Sequence, residues 1–420
     1  MSYHNKYLKY KSKYLKLKNN QKGKGKSWIK QQAEIKSLLK EKVFSLLWEK
    51  NPEKNTDLLS WLTQHKKIKN AQEIIKNKLQ FKQLIESLKE QDLMMLDRSE
   101  HFNLVQMNTL PNLNIKEINQ YINDANLELS YSINNQGNIS EYHENDIRAM
   151  YSIGKVFTGM LVILLVDDGT IDEKSLHKTI QLDKNVLNKL SSQVKARLNE
   201  TTFLDVMTHS SGLKDDLPKY FAAIEKAIVN KTSIPNPIEP EDFVVYADED
   251  LANHKHSYSN LGILLVGLSI KYHYNKKHNS TLTYNEILNK YIVDKIGLKT
   301  FSITRPNNAK YNEDITKYKN GAPDGGYYIS CNELRMFGEW VNKLYNENKN
   351  INELVKKYGT EFYRDNMVEH GGSISPNLDK EKLTSTSQLS IYLNDNIVIS
   401  IMSNHKDDSW NLSFAMILYK

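Results

Sequence analysis

From Val156 to Val166 the chain runs eleven residues without a charge, and only Thr158 and Gly159 interrupt its strongly apolar side chains. A helix apolar on every side belongs inside a core. At this length it is too short for the roughly 20 residues that span a bilayer. The rest of the domain must therefore wrap around this run. Ser152 and Lys155 stand at its mouth, in Ala149-Met150-Tyr151-Ser152-Ile153-Gly154-Lys155. Residues i and i+3 share a helical face, so the Ser152 hydroxyl and the Lys155 amine can meet. A serine at a helix start lies beside backbone N–H groups that stabilise developing negative charge. A desolvated lysine loses proton affinity and can act as a base.

The spacing alone is common. Ser27/Lys30, Ser37/Lys40, Ser175/Lys178 and Ser192/Lys195 repeat it in ordinary surroundings. Two further patterns distinguish Ser152. Tyr258-Ser259-Asn260 immediately precedes the apolar stretch Leu261–Ile270, although Tyr-x-Asn also recurs at Tyr3/Asn5, Tyr121/Asn123, Tyr318/Asn320 and Tyr392/Asn394. His370-Gly371-Gly372-Ser373 occurs once, and its glycine pair permits close approach of backbone to a ligand.

Taken in order, Ser-x-x-Lys, Tyr-x-Asn and His-Gly-Gly resemble the serine beta-lactamase and penicillin-binding-protein superfamily. Within it they resemble the class C beta-lactamase/D-Ala-D-Ala carboxypeptidase (peptidase S12) branch. Flanking segments extend the likeness. Asp205-Val206-Met207-Thr208-His209-Ser210-Ser211-Gly212-Leu213 is similar to the branch's Leu-Leu-Thr-His-Thr-Ser-Gly-Leu stretch. Lys295-Ile296-Gly297-Leu298 is similar to its Pro-Leu-Gly-Met segment, and Gly325-Gly326-Tyr327-Tyr328-Ile329-Ser330 to its Gly-Gly-Leu-x-Ser turn. The resemblance covers residues 112–420. It implies an α+β fold of the beta-lactamase/transpeptidase-like type, an antiparallel sheet flanked by helices with a helical subdomain.

The resemblance also implies roles. Ser152 is the expected nucleophile, Lys155 its base, and Tyr258 the group that shuttles the proton to the leaving group and later activates water. Asn260 is expected to orient substrate and Lys155. The backbone N–H groups of Ser152 and Ser373 are expected to form the oxyanion hole, with Gly372 and His370 lining the substrate site. His370 departs from the Lys-Thr-Gly of many relatives; a partly charged imidazole grips a substrate carboxylate less firmly than an ammonium does. This departure weighs against true penicillin turnover. His209 is read as a structural loop residue. His254 and His256 lack the carboxylate or cysteine partners of a metal site, so no metal and no cofactor is expected.

The remaining chain divides by composition. Residues 1–30 hold ten lysines and no acidic residue; the other 47 basic and 50 acidic residues nearly cancel. A seven-residue repeat, Lys6–Ser12 then Lys13–Asn19, sets Tyr7, Tyr10, Tyr14 and Leu17 on one stripe of a very basic helix. Such a leader suits an anionic surface, nucleic acid or a docking partner, and it resembles the Lys/Tyr-rich starts of giant DNA virus proteins. The expected organisation is a leader and linker over 1–27, a helical accessory region over 28–111 and a hydrolase domain over 112–420. Leu127–Ile133 and the segment to Tyr142 predict a hairpin around Asn134-Asn135-Gln136-Gly137, and Gln388–Leu393 with Asn396–Met402 a second pair. Strands at both ends predict a sheet that both share. Trp410–Tyr419 predicts a closing helix.

A single cysteine, Cys331, excludes an internal disulfide. The basic N-terminus lacks an apolar h-region, and no run reaches membrane-span length. The expectation is a soluble protein without a secretion signal or transmembrane segment, cytoplasmic in its producing cell or carried in a virion. The function expected is a serine hydrolase forming a Ser152 acyl-enzyme with an ester, amide, D-amino-acid peptide or beta-lactam. The competing expectation is an inactive beta-lactamase fold kept as a binding or structural module.

Overall fold

A computed structural model describes residues 62–63, 68, 70–87, 119, 128–214, 223, 240–246, 256–310, 322–359, 362–364, 366–374 and 385–403. The basic leader, His254 and Trp410–Tyr419 lie outside the described residues. The chain divides into two compact units, residues 1–110 and 111–420. In the first, helices α1 (Ala71–Lys76) and α2 (Lys78–Ser87) bury Ala71, Ile75, Phe81 and Ile85.

The second unit is built on a six-stranded antiparallel sheet in the order β2-β1-β8-β7-β6-β5. Its strands are β1 (Leu129–Asn135), β2 (Asn138–Tyr142), β5 (Tyr363–Arg364), β6 (Met367–Ile374), β7 (Ser385–Tyr392) and β8 (Ile397–Ser403). Tyr131 pairs with Tyr142 on one side and with Ile401 on the other, so the first and last strands do share a sheet. The hairpin turn is Gln136-Gly137, both with positive φ.

The alternation of β1 reads as a half-buried strand, yet its polar face is buried as well. The reason is helix α7 (Cys331–Glu347), which covers that face and supplies partners. Arg335 Nε donates to Ser132 Oγ at 2.8 Å, and Asn134 Nδ2 to Glu339 Oε1 at 2.5 Å. Arg148 Nε reaches Ser130 Oγ at 2.9 Å from the neighbouring strand β3 (Ile147–Ala149). Strand β3 pairs with β4 (Tyr328–Ser330) in a small second sheet that the sequence reading did not anticipate. Buried serines here are satisfied polar groups, as burial requires.

The apolar run forms helix α3 (Gly154–Asp167), buried along nearly its whole length. Phe157 anchors it to α7 by stacking on Phe337, with ring centroids 3.7 Å apart. Helices α4 (Phe203–Met207), α5 (Asn260–His278), α6 (Tyr284–Leu288) and α8 (Lys349–Tyr358) are among those that surround it, and they share one core with α3 and α7. Thr202 and Asp205 close a capping box on α4, and Thr283 and Glu286 on α6. Among the described residues no helix is long and apolar enough to cross a membrane.

Candidate active site

Ser152 sits in a single 3₁₀ turn, Tyr151–Ile153, between the end of β3 and the start of α3. The preceding Tyr151 has φ +46°, a left-handed conformation costly for a bulky residue. That turn lets the chain leave β3 and enter α3 with Ser152 at the junction. It is held from below by glycines. A methyl group on Gly325 would lie 2.7 Å from Tyr151 O, and one on Gly154 would lie 2.9 Å from Gly325 Cα. The Gly-Gly turn of the sequence therefore packs directly under the nucleophile candidate.

Lys155, 3 % exposed, faces Ser152 as the i, i+3 spacing predicts. Its Nζ lies 3.1 Å from Ser152 Oγ, 2.6 Å from Asn260 Oδ1 and 2.7 Å from Asp324 O. The two shorter contacts are to carbonyl oxygens, which only accept, so two N–H bonds of the amine point at them. Its third valence faces Ser152 Oγ. Tyr258 donates from Oη to the same oxygen at 2.7 Å, and its ring passes 5.0 Å from Lys155 Nζ. Tyr258 is 40 % exposed, so it meets solvent as well as Ser152.

Tyr258 and Asn260 are placed by the start of α5. Ser259 caps that helix by accepting the N–H of Gly262 at 3.0 Å, and Asn260 is its first residue. Three consecutive residues thus present a phenol outward, a cap along the helix, and an amide inward to Lys155.

His370, Gly371, Gly372 and Ser373 lie within β6 rather than in a loop. Gly372 abuts the backbone of the Ser152 turn: a methyl group there would lie 2.6 Å from Met150 O and 2.8 Å from Ser152 N. Side chains two apart on a strand share a face, so His370 is on the face of the sheet that Gly372 turns to Ser152. Its Nδ1 lies 2.6 Å from Gly371 O. The structure brings Ser152, Lys155, Tyr258 and Asn260 into direct contact and sets the backbone of β6 against them.

Below Lys155 lies a buried polar layer that the sequence reading missed. Thr158 Oγ1 donates to Pro323 O at 2.5 Å, and so accepts from Tyr284 Oη at 2.6 Å. Tyr327 Oη donates to Asn285 Oδ1 at 2.9 Å. Burial, with Asp324 nearby, pushes both phenols above their ordinary range, so they stay protonated donors. Asp324 acts on Lys155 through its backbone carbonyl, which no side-chain motif announces; its position directly before Gly325-Gly326 is the only hint in the sequence.

The geometry defines a serine-centred site on a beta-lactamase/transpeptidase-like fold. A model described as Beta-lactamase matches residues 125–410, and the chain belongs to that family. Comparison with the curated proteins found no match. Among solved structures, a penicillin-binding protein from Bacillus halodurans is similar at 14 % identity with a TM-score of 0.50, over 73 % of this chain and 99 % of that one. A class C beta-lactamase mutant is similar at 15 % identity and TM-score 0.48, over 73 % and 98 % of the two chains. A D-stereospecific amidohydrolase from Streptomyces sp. is similar at 14 % identity and TM-score 0.47, over 66 % and 88 %.

Proposed function

We propose that the chain is a serine hydrolase that works through an acyl-enzyme on Ser152, with an ester, amide, D-amino-acid peptide or beta-lactam as substrate. The observation that carries this reading is the convergence of Lys155 Nζ and Tyr258 Oη on one oxygen, Ser152 Oγ, at 3.1 and 2.7 Å. A folding scaffold has no use for two proton-handling groups aimed at one hydroxyl.

In the proposed cycle the Ser152 proton passes to the unprotonated amine of Lys155 as Oγ attacks the substrate carbonyl carbon. The carbonyl π electrons move onto oxygen, and the oxyanion is met by the N–H groups of Ser152 and Ser373; one such donor typically contributes ~10²–10³ in rate. Collapse breaks the bond to the leaving group, which takes a proton from Tyr258, and Lys155 returns one to the phenolate. Water then attacks the acyl carbon as it gives a proton to Lys155; the tetrahedral intermediate breaks its bond to Oγ, which takes that proton back, so that the acid product and Ser152 are released. Asn260 and the Asp324 carbonyl hold the amine in place throughout. His370 in place of lysine favours substrates that do not rely on a strong carboxylate anchor. The organisation in this proposal is a leader and linker (1–27), a helical accessory region (28–111) and the hydrolase domain (112–420).

The test is intact-mass spectrometry after incubation with a fluorophosphonate probe and, separately, a penicillin, on wild type and Ser152→Ala. A probe adduct that disappears in the variant supports the hydrolase reading. A penicillin adduct or its turnover narrows the substrate to beta-lactams. No adduct from either reagent on the folded protein would make an inactive binding module the better account.

A further inference from the structure

His209 lies outside the group that touches Ser152, yet it holds the backbone on both sides of Tyr258. It follows α4 and is itself in the left-handed region, with φ +57°. Its carbonyl accepts the N–H of Ser257 at 2.8 Å, and its ring Nδ1 accepts the N–H of Ser259 at 3.2 Å. The imidazole is fully buried and packs on the Tyr258 ring with centroids 4.7 Å apart. One histidine thus meets three successive residues, 257, 258 and 259, by two backbone hydrogen bonds and a ring contact.

The loop that carries it is itself anchored. Ser210 N–H donates to Asp205 O at 2.8 Å, and Ser259 Oγ donates to Lys214 O at 3.1 Å. Helix α5 approaches α4 closely, since a methyl group on Gly262 would lie 3.1 Å from Val206 O. His209 is therefore fixed with respect to α4 and fixes in turn the start of α5. An imidazole nitrogen that accepts an N–H carries no proton, so the neutral ring holds its proton on Nε2.

We infer that His209 is the positioning residue for Tyr258: through Nδ1 and its carbonyl it sets the phenol over Ser152, and through Ser259 it sets Asn260 against Lys155. The inference rests on the hydrolase reading for its effect on rate, and on the hydrogen bonds alone for its tautomer. It makes a pointed demand on the side chain. An acceptor must stand where Nδ1 stands, on a residue that tolerates positive φ. Asparagine meets both demands, because Oδ1 takes the place of Nδ1 and asparagine adopts the left-handed region readily. Glutamine carries its acceptor one bond too far.

The experiment compares wild type, His209→Ala, His209→Asn and His209→Gln by the concentration dependence of fluorophosphonate labelling, with thermal melting as the folding control. In His209→Ala the limiting labelling rate is expected to fall on the order of 10–100-fold, the scale of a misplaced catalytic group, with the half-saturating probe concentration within about 2-fold of wild type. His209→Asn is expected to recover most of the rate and His209→Gln little of it. If the alanine variant does not fold, the Asn and Gln pair decides. Equal rates in Asn and Gln, or an alanine variant as fast as wild type, would overturn the inference. Nitrogen-15 NMR of the wild-type imidazole supplies the second readout, with the Nε2–H tautomer expected. If wild type takes no probe, the hydrolase reading is what fails, and the tautomer then decides His209 alone: an Nδ1–H ring overturns its positioning role.

Discussion

Gly372 and Ser152 meet backbone to backbone, so closely that a single methyl group on Gly372 would come within 2.8 Å of Ser152 N. The same methyl would meet Met150 O and Ser387 Oγ at 2.6 Å each. Ser387 Oγ already donates to Met150 O at 2.7 Å, which ties β7 to the same spot. At Gly372 the backbone of β6 is thus packed against the Ser152 turn with no room for a side chain.

Gly372→Ala must push β6 and the Ser152 turn apart. Overpacking of this kind costs about 1–3 kcal/mol, and an oxyanion donor moved out of line costs ~10²-fold or more in acylation rate. Labelling kinetics and a urea titration on the same preparation check both. Labelling at the wild-type rate would show that β6 does not take part.

Asn260→Ala removes the nearest acceptor of Lys155 and leaves one N–H of the buried amine without its acceptor. The expected cost is about 1–3 kcal/mol of stability, and labelling should slow as the amine drifts from Ser152. Asn260→Ser, which restores an oxygen without full reach, should fall between the two. The check is the rank order of melting temperature and labelling rate across the three proteins.

Phe157→Ala tests the core rather than the chemistry. Phe157 is fully buried and stacks between Phe337 and Phe301. Its truncation should cost about 3–5 kcal/mol, with the labelling rate of the fraction that remains folded nearly unchanged. Urea unfolding gives the first quantity and labelling below the transition the second.

Cys331 is fully buried, and burial pushes its thiol up to about 12. The native protein should therefore resist iodoacetamide at pH 8 and react once unfolded, because the thiolate is the nucleophile. The folded state holds this proton more tightly than the unfolded chain does. The resulting stability is fully present below the thiol's ordinary value of 9.0 and is lost as pH rises from there towards about 12. Native-state alkylation rates between pH 7 and 10 measure it; rapid labelling of the folded protein at pH 8 would contradict it.

How much of this was legible follows the kind of signal each residue leaves. The meeting of Ser152 and Lys155 was readable because helix geometry brings i and i+3 together, the order of the three motifs separated this pair from four other copies, and the all-apolar run after it predicted burial. Tyr258 and Asn260 were readable through motif order and the apolar stretch that follows them, since the Tyr-x-Asn spacing itself recurs in four other copies. The hairpin from Leu129 to Tyr142 and the last strand pair followed from alternation and turn residues. The buried polar face of β1 was not readable, because Ser130, Ser132 and Asn134 look like a solvent face until Arg148 and Glu339 are brought to them from distant segments. The part played by Asp324 is announced by no side-chain motif, because it is a backbone carbonyl; only its place before Gly325-Gly326 points to it. His209 reads from the sequence as a structural loop residue; only the fold shows which segment it supports.

The place of β1 in the sheet has a consequence for how the protein comes into being. Ser132 on β1 receives a hydrogen bond from Ser400 on β8, 268 residues further along. At translation speeds of about 5–20 residues per second, β1 leaves the ribosome roughly 15–50 s before β8, its partner on the side away from β2. During that interval Ser152, Lys155 and Tyr258 have all been synthesised, but the strand bearing Gly372 has no finished sheet to hang from. The hydrogen-bonding edge of β1 meanwhile stands open to any other strand. The candidate site is thus among the last things this chain completes, and a product stopped short of β8 would hold Ser152, Lys155, Tyr258 and Gly372 without the finished sheet that packs around them.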